Sequence, residues 1–451
     1  MSEISRKFAS YALTACDFSP ASINAAKTFI LDSLGVGIAG SNAPFQEAVY
    51  KTMKSWGEGN AAHLWGRGEK APAASAAYLN GFQIHSMEFD CVHEPAVVHP
   101  MATILAALSA EADSKGGVSG QHLIEAVIVA VDVAVELGVA VTSPLKFFRP
   151  ATAGLFGATL GIARLRGFDE DTALSAMGCA LAQTAGVMQA HVEGKPTLPV
   201  QIAGAARAAV VACDLAENGL AGPVASLEGP YGYFAMFEDE VDMDAAIARL
   251  GVINRITEVS WKPFPTGRAA QGGIVAVQHL KNRGVTLDNL EKLVLHAPPI
   301  IPRLVDRPMT DDMSANYARL CFAYLAPIVL MRGSITLDDF SDNDLNSSAI
   351  KAAAQKISVV ANHVSDPAAF TPQTASATLK DGKTETAQID VLFGSPASPL
   401  SPEQHLAKFR ACIGFGLSEV KAQSVADGLI DLVNQLETLP DCRAIYKLAA
   451  G

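Results

Sequence analysis

Glu88-Phe89-Asp90-Cys91-Val92-His93-Glu94-Pro95-Ala96-Val97-Val98-His99-Pro100 is the stretch on which the reading of the chain turns. It sets three carboxylates and two imidazoles between two segments, 72–86 and 100–113, that otherwise read as small-residue and apolar core helices. Pro100 suits the first position of a helix, whose N–H is unpaired in any case, and this leaves His99 at the N-cap. The free amides and positive dipole end there favour an anion such as a substrate carboxylate. Asp90 and His93 are three apart, so one helical turn or a tight loop would set them side by side as an acid/base pair. His93 and His99 with Asp90 could supply three metal ligands, yet no HExxH, CxxC or EF-hand spacing accompanies them, and no metal is expected.

Working outward, Ser19-Pro20 reads as an N-cap with proline at the first helical position, opening a helix that ends at Gly40. Alanine-rich helical patterns follow at 72–86, 100–113, 120–141, 152–166, 170–190 and 201–218, and their small residues let backbones approach closely. From about 260 the texture changes. Leu290 to Ala297 and Ile357 to Asn362 have strand composition, and Ser376 to Ile389 reads as a hairpin around Asp381-Gly382. Tyr317 to Arg332 and Asp342 to Lys356 are helical between them, and a helical pattern returns over Glu403 to Leu439. The chain is therefore expected to be mainly α. Residues 1–260, completed by 395–451, form an all-α helical domain, and 261–394 form a smaller inserted α+β domain.

With 451 residues, 49% of them hydrophobic and only 18% charged, the chain can bury a large interior. Forty-six acidic against 34 basic residues give a net charge of −12, which disfavours a nucleic-acid partner. The seven scattered cysteines lack CxxC spacing and fit free thiols in a reducing cytoplasm. The N-terminus has no signal-peptide core. The most apolar run, Leu123 to Val141, is interrupted by Glu125, Asp132 and Glu136, so no membrane span is expected.

Three further polar islands stand out. Arg149 precedes a helix and could clamp a carboxylate through its planar fork. His191-Val-Glu-Gly-Lys195-Pro-Thr-Leu-Pro-Val-Gln201 is a polar loop in which Lys195 or His191 could act as acid or base. Trp261-Lys262-Pro-Phe-Pro-Thr266-Gly267-Arg268 lies at the change of texture, where clefts form between domains. Beside apolar Trp261 and Phe264, a buried Lys262 would favour its uncharged form and serve as a base.

These islands, in this order, resemble the MmgE/PrpD family, whose members include 2-methylcitrate dehydratase, cis-aconitate decarboxylase and iminodisuccinate epimerase. The likeness rests on Ala77-Tyr-Leu-Asn80-Gly81, His85-Ser-Met-Glu-Phe-Asp90, His99-Pro100, Thr152-Ala-Gly154-Leu-Phe-Gly157, Gly222-Pro-Val-Ala-Ser-Leu-Glu228-Gly229-Pro, Lys262-Pro-Phe-Pro and Gly394-Ser-Pro. The resemblance implies that the inserted domain is a lid over a cleft, that the protein is a homodimer, and that it works without cofactor on small polycarboxylates. It also implies that Asp90, His99 and Lys262 fall on active-site positions. The chain departs from the dehydratase and decarboxylase pattern at Cys91-Val92, at Phe148-Arg149 and at Pro199-Val-Gln201-Ile202, where a histidine and a lysine are absent.

The expected activity is a lyase of the dehydratase type that removes a proton next to a carboxylate of a di- or tricarboxylate. The alternatives are an epimerase or isomerase of an iminodisuccinate-like dicarboxylate, and a non-catalytic polycarboxylate-binding relative. Asp90, His93, His99 and Lys262 are the expected catalytic groups. Arg149, Lys195, Gln201, Thr266, Gly267 and Arg268 are the expected binding groups.

Overall fold

Ser19 opens the first long helix, Pro20–Gly40, by accepting a hydrogen bond from the Ser22 amide at 3.1 Å. The computed structural model describes residues 3–15, 17–366 and 368–451, and it is mainly α. Helices Ala73–His85, Pro100–Lys115, Gly120–Val139, Arg149–Arg166 and Leu198–Glu217 stand where the small-residue patterns place them. They pack face to face, with Ala73–His85 against Leu198–Glu217 and Gly120–Val139 against Arg149–Arg166. Glycine makes the approach possible at Gly40, where a Cβ would overlap the Gln83 carbonyl. Gly40→Ala is expected to cost about 2 kcal/mol through forced backbone separation, measurable as a lower urea midpoint.

Four expected helices are broken, two of them where a carbonyl is claimed by a residue distant in sequence. The Asp342 to Lys356 pattern divides into Asp342–Leu345 and Ser348–Ala354, with Ser347 capping the second by accepting the Ile350 amide. The 170–190 pattern stops at Leu181, and the Gly186 carbonyl instead accepts the Phe148 amide at the start of Arg149–Arg166. The Tyr317 to Arg332 pattern divides into Ala315–Ala318 and Phe322–Arg332, because the Arg319 carbonyl accepts the Gly267 amide at 3.0 Å. The C-terminal pattern divides at extended Leu417 into Pro402–Gly416 and Glu419–Asn434.

Two short strands, β1 (Ala62–Leu64) and β2 (Glu69–Ala71), pair antiparallel. The second sheet holds β3 (Leu290–Ala297), β4 (Ile357–Ala361), β5 (Gln373–Leu379) and β6 (Thr384–Ile389) in the order β4-β3-β5-β6. Only the β3–β4 pair is parallel, and its connection carries the Phe322–Arg332 helix. The Asp381-Gly382 turn joins β5 to β6, with Gly382 at φ +87°.

One large apolar core draws on both chain ends, from Phe8 to Val259 and from Phe409 to Ala449. A second is built from Phe264 to Leu392. Pro402–Gly416 packs on Pro20–Gly40, which ties the C-terminal helices to the first core. Six of the seven cysteines are buried free thiols, and Cys16 lies outside the described residues. Among the described residues one helix, Leu198–Glu217, is long and apolar enough to cross a membrane, and 61% of its apolar window is buried inside the protein.

Candidate active site

Helix Ala73–His85 ends on a buried histidine, and the chain then turns through Glu88 in a left-handed conformation, φ +52°. A non-glycine residue there stores backbone strain of a kind that collects at functional sites. Beyond the turn the chain is extended, and Val92 forms an antiparallel bridge with Ser260, N···O 3.0 and 2.8 Å. In such a register the residues two before and two after the bridge face each other. Those residues are Asp90 and Lys262, both fully buried, with Nζ 3.6 Å from Oδ1. A second bridge, His93 with Val98, turns the chain back so that His99 arrives beside Asp90.

Asp90 is the hub. Its Oδ2 lies 2.9 Å from His85 Nδ1 and 3.1 Å from His99 Nδ1, and the two imidazoles meet edge to face at 4.9 Å. Lys262 Nζ also donates to Glu88 Oε2 at 2.7 Å. Burial alone would raise both carboxyls, but the surrounding cations reverse this: His85, His99 and Lys262 hold Asp90 well below the usual carboxylate range. Glu88 is lowered to about 2, with Lys262 as the principal cation. The imidazoles part company. Burial opposes the charge on His85, but the Asp90 carboxylate outweighs it and raises the group. Burial and the Lys262 charge lower His99 despite Asp90. The site therefore holds a neutral imidazole and a favoured imidazolium on one carboxylate, an arrangement suited to proton transfer.

His85, Asp90 and His99 also bring ligand atoms within 4.8 Å of one another, close enough for a metal ion. The Lys262 ammonium at 3.6 Å opposes a second cation there, and both Nδ1 atoms already face the carboxylate.

The expected residues separate under this geometry. His93 does not join Asp90: in extended backbone, residues three apart point to opposite faces. It turns instead to Glu258, Nε2···Oε2 3.2 Å, and its Nδ1 accepts the Ala96 amide. Lys262 is fully buried as expected, with Nζ 2.7 Å from Glu88 Oε2 and 3.6 Å from Asp90 Oδ1. Arg149 reaches the cleft, but Glu238 takes its fork at 2.9 and 3.1 Å and the Ala96 carbonyl takes Nη1. Arg268 donates to Glu94 at 2.7 Å and to three further oxygens through Nη1, while its buried Nη2 has no protein partner.

Gly267 lines the cleft, with its amide spent on Arg319, and Thr266 is buried beside Gln271. Gln201 lies apart, bound to both backbone groups of Val187 in a pocket with Tyr78 and Arg207. Lys195 is exposed and lines a small crevice next to Glu88 and His191.

The cleft itself is narrow, with about 70 Å³ of free space, and His85, Glu88, His99, His191 and Arg268 supply its polar wall. A larger groove of about 820 Å³ backs Phe89 and Pro263. Its lysine, Lys408, is spent on Asp32 and the Phe89 carbonyl, and it carries no acid/base cluster, so the smaller cleft is the candidate site.

Sequence reasoning did not place His85, Glu88 or Arg319 among the site residues. His85 and Glu88 stood in the quoted motif but gave no sign of sharing Asp90 and Lys262. Arg319, fully buried and pushed down to about 9 by burial, donates to the Pro265 carbonyl at 2.8 Å and stacks on Phe340, bracing the loop that carries Lys262.

Residues 6–246 match the MmgE/PrpD N-terminal domain and residues 264–432 the MmgE/PrpD C-terminal domain. The chain is 29% identical to a cis-aconitate decarboxylase of Mus musculus over 95% of its own length and 89% of that enzyme. It is 28% identical to the Homo sapiens cis-aconitate decarboxylase, covering 95% and 90%. A cis-aconitate decarboxylase of Aspergillus terreus is 24% identical, covering 94% and 90%. With its two domain signatures spanning both halves, the chain belongs to the MmgE/PrpD family.

Proposed function

We propose that the protein is a lyase acting on a small carboxylate, with dehydration as its reaction and the 261–394 unit as a lid over the cleft. The observation that carries this reading is one carboxylate, Asp90, shared by two imidazoles of opposite charge preference and facing the Lys262 ammonium. His99, neutral and oriented by Asp90 through Nδ1, removes the proton next to the substrate carboxylate with Nε2. Lys262 and the free Nη2 of Arg268 stabilise the charge that develops on the carboxylate oxygens. His85, whose buried Nε2 has no hydrogen-bond partner, delivers its proton to the leaving hydroxyl, so that the C–H and C–O bonds break, a C=C bond forms and water departs. The described groups perform every step without a cofactor. Leu215, Leu220 and Val224 remain exposed near the end of Leu198–Glu217, which supports a homodimer.

Decarboxylation is the second reading, and the named relatives favour it. There the carbon–carboxylate bond breaks, CO2 leaves, and its electron pair goes to a carbon that His85 or Lys262 protonates. Candidate hydroxy and unsaturated acids incubated in D2O and followed by proton NMR decide between them. Dehydration yields an alkene and no CO2; decarboxylation releases CO2 and places one deuterium in the product. An epimerase would exchange deuterium and do neither.

The pH dependence follows from the two imidazoles. His99 must be neutral, and its pKa lies below 6.5, so kcat/KM rises with pH through a limb below that value. His85 must be protonated, and its pKa lies above 6.5, so activity falls through a limb on the alkaline side. A single alkaline-rising profile with no descending limb below pH 9 would remove His85 as the acid.

A further inference from the structure

The peptide that joins Phe89 to Asp90 is held from behind the cleft. Glu88, just before it, is left-handed at φ +52°, a strained conformation that persists only where surrounding contacts fix it. Two backbone carbonyls flank that residue, and each accepts a hydrogen bond from a distant side chain. The Ser86 carbonyl takes Asn316 Nδ2 at 3.1 Å, and the Phe89 carbonyl takes Lys408 Nζ at 2.9 Å. Lys408 comes from the Pro402–Gly416 helix and is 7% exposed. Asp32 of Pro20–Gly40 fixes its ammonium at 2.8 and 3.1 Å, and Nζ lies 4.3 Å from the centre of the Phe89 ring. One ammonium thus grips both the ring and the carbonyl of the residue joined to Asp90. The ring is anchored in turn among Val36, Met87, Leu337 and Cys412.

A buried ion pair contributes little net stability against an apolar pair of the same volume, so stability alone does not account for Lys408 and Asp32. What the pair adds is a donor at a fixed point. The groove of about 820 Å³ lies against Phe89 and Lys408. Without the donor the Phe89 carbonyl would be buried with no partner, a penalty it escapes by turning toward solvent in that groove. Such a turn relaxes Glu88 and carries the Asp90 carboxylate off the two imidazoles. We propose that Lys408 is a positioning residue: by holding the Phe89 carbonyl it fixes the Phe89–Asp90 peptide, and so the Asp90 carboxylate, against His85 and His99. The catalytic consequence rests on the reading of the cleft as a carboxylate-lyase site.

Lys408→Met alone would strand Asp32 and endanger folding, so the test combines it with Asp32→Asn. The double variant removes the donor and both charges together and leaves the net charge unchanged. Neither side chain is among the groups facing His85, which are Asp90, Glu88, His99, Lys262 and Phe148. Histidine-ring NMR of the full-length protein without substrate, with the His85 signal assigned by His85→Gln, therefore reads the placement of Asp90 independently of turnover. In the wild type the Asp90 carboxylate raises His85 above 6.5. In the folded double variant the His85 midpoint is expected to fall by about one pH unit or more. With it, kcat falls about 10- to 100-fold while KM stays within about twofold, as for a catalytic group held slightly out of place. An unmoved His85 midpoint overturns the proposal whatever happens to the urea midpoint, and so does an unchanged kcat. A His85 midpoint that falls while the wild type turns over no candidate acid supports the positioning of Asp90 and removes the lyase reading instead.

Discussion

Asp90→Asn is expected to lower kcat by about 10³- to 10⁴-fold, the scale seen when the carboxylate orienting a catalytic imidazole is made neutral. An amide can still accept the His85 hydrogen bond, but it carries no charge to set against His99 Nδ1 at 3.1 Å or Lys262 Nζ at 3.6 Å. The His85 imidazolium loses the interaction that raises it, so any residual activity shows a descending pH limb moved to lower pH. Stability shifts with a defined sign. Because the folded-state pKa of Asp90 is depressed, its contribution is present above the unfolded carboxyl value and vanishes as pH falls through the folded one. The wild type therefore loses this increment in acid and the variant has none to lose. A variant that keeps more than a tenth of wild-type kcat would remove Asp90 from the centre of the chemistry.

Lys262→Met separates charge compensation from chemistry. Removing the ammonium leaves Glu88 and Asp90 buried without their shared cation, and the expected loss of stability is about 3–5 kcal/mol. Turnover falls about 10²- to 10³-fold or more, as for loss of a preorganised donor to developing oxyanion charge. Adding Glu88→Gln to Lys262→Met removes one stranded carboxylate and should restore much of the urea midpoint while leaving turnover lost. If the double variant recovers activity together with stability, Lys262 serves only as a counter-ion.

Local features of the fold were legible because their causes are local. Ser19-Pro20, Pro100 and the Asp381-Gly382 turn act through nearby hydrogen bonds and φ preferences, and the helices and hairpin begin or turn at those places. The helix breaks at Gly186 and Arg319 were not legible, since each carbonyl is claimed by a residue distant in sequence, Phe148 and Gly267.

The same division runs through the site. The density of acids and imidazoles in 88–99 was visible, and so was the odd setting of Lys262. The partnerships were not: a helical period suggested Asp90 with His93, whereas the Val92–Ser260 bridge imposes a period of two and gives Asp90 to His85, His99 and Lys262. Nothing in the sequence announced that Glu238, 89 positions from Arg149, would occupy its guanidinium.

Glu88 and Lys262 are 174 positions apart, and closing so long a segment costs about 4–5 kcal/mol of chain entropy. Until the bridge between Val92 and Ser260 is made, the early acids have only the imidazoles of His85 and His99 against them and lack the Lys262 ammonium. The acid–imidazole cluster is thus completed only by a distant segment, and a nascent chain still lacking residues beyond 250 holds it without its lysine however well the earlier helices have packed.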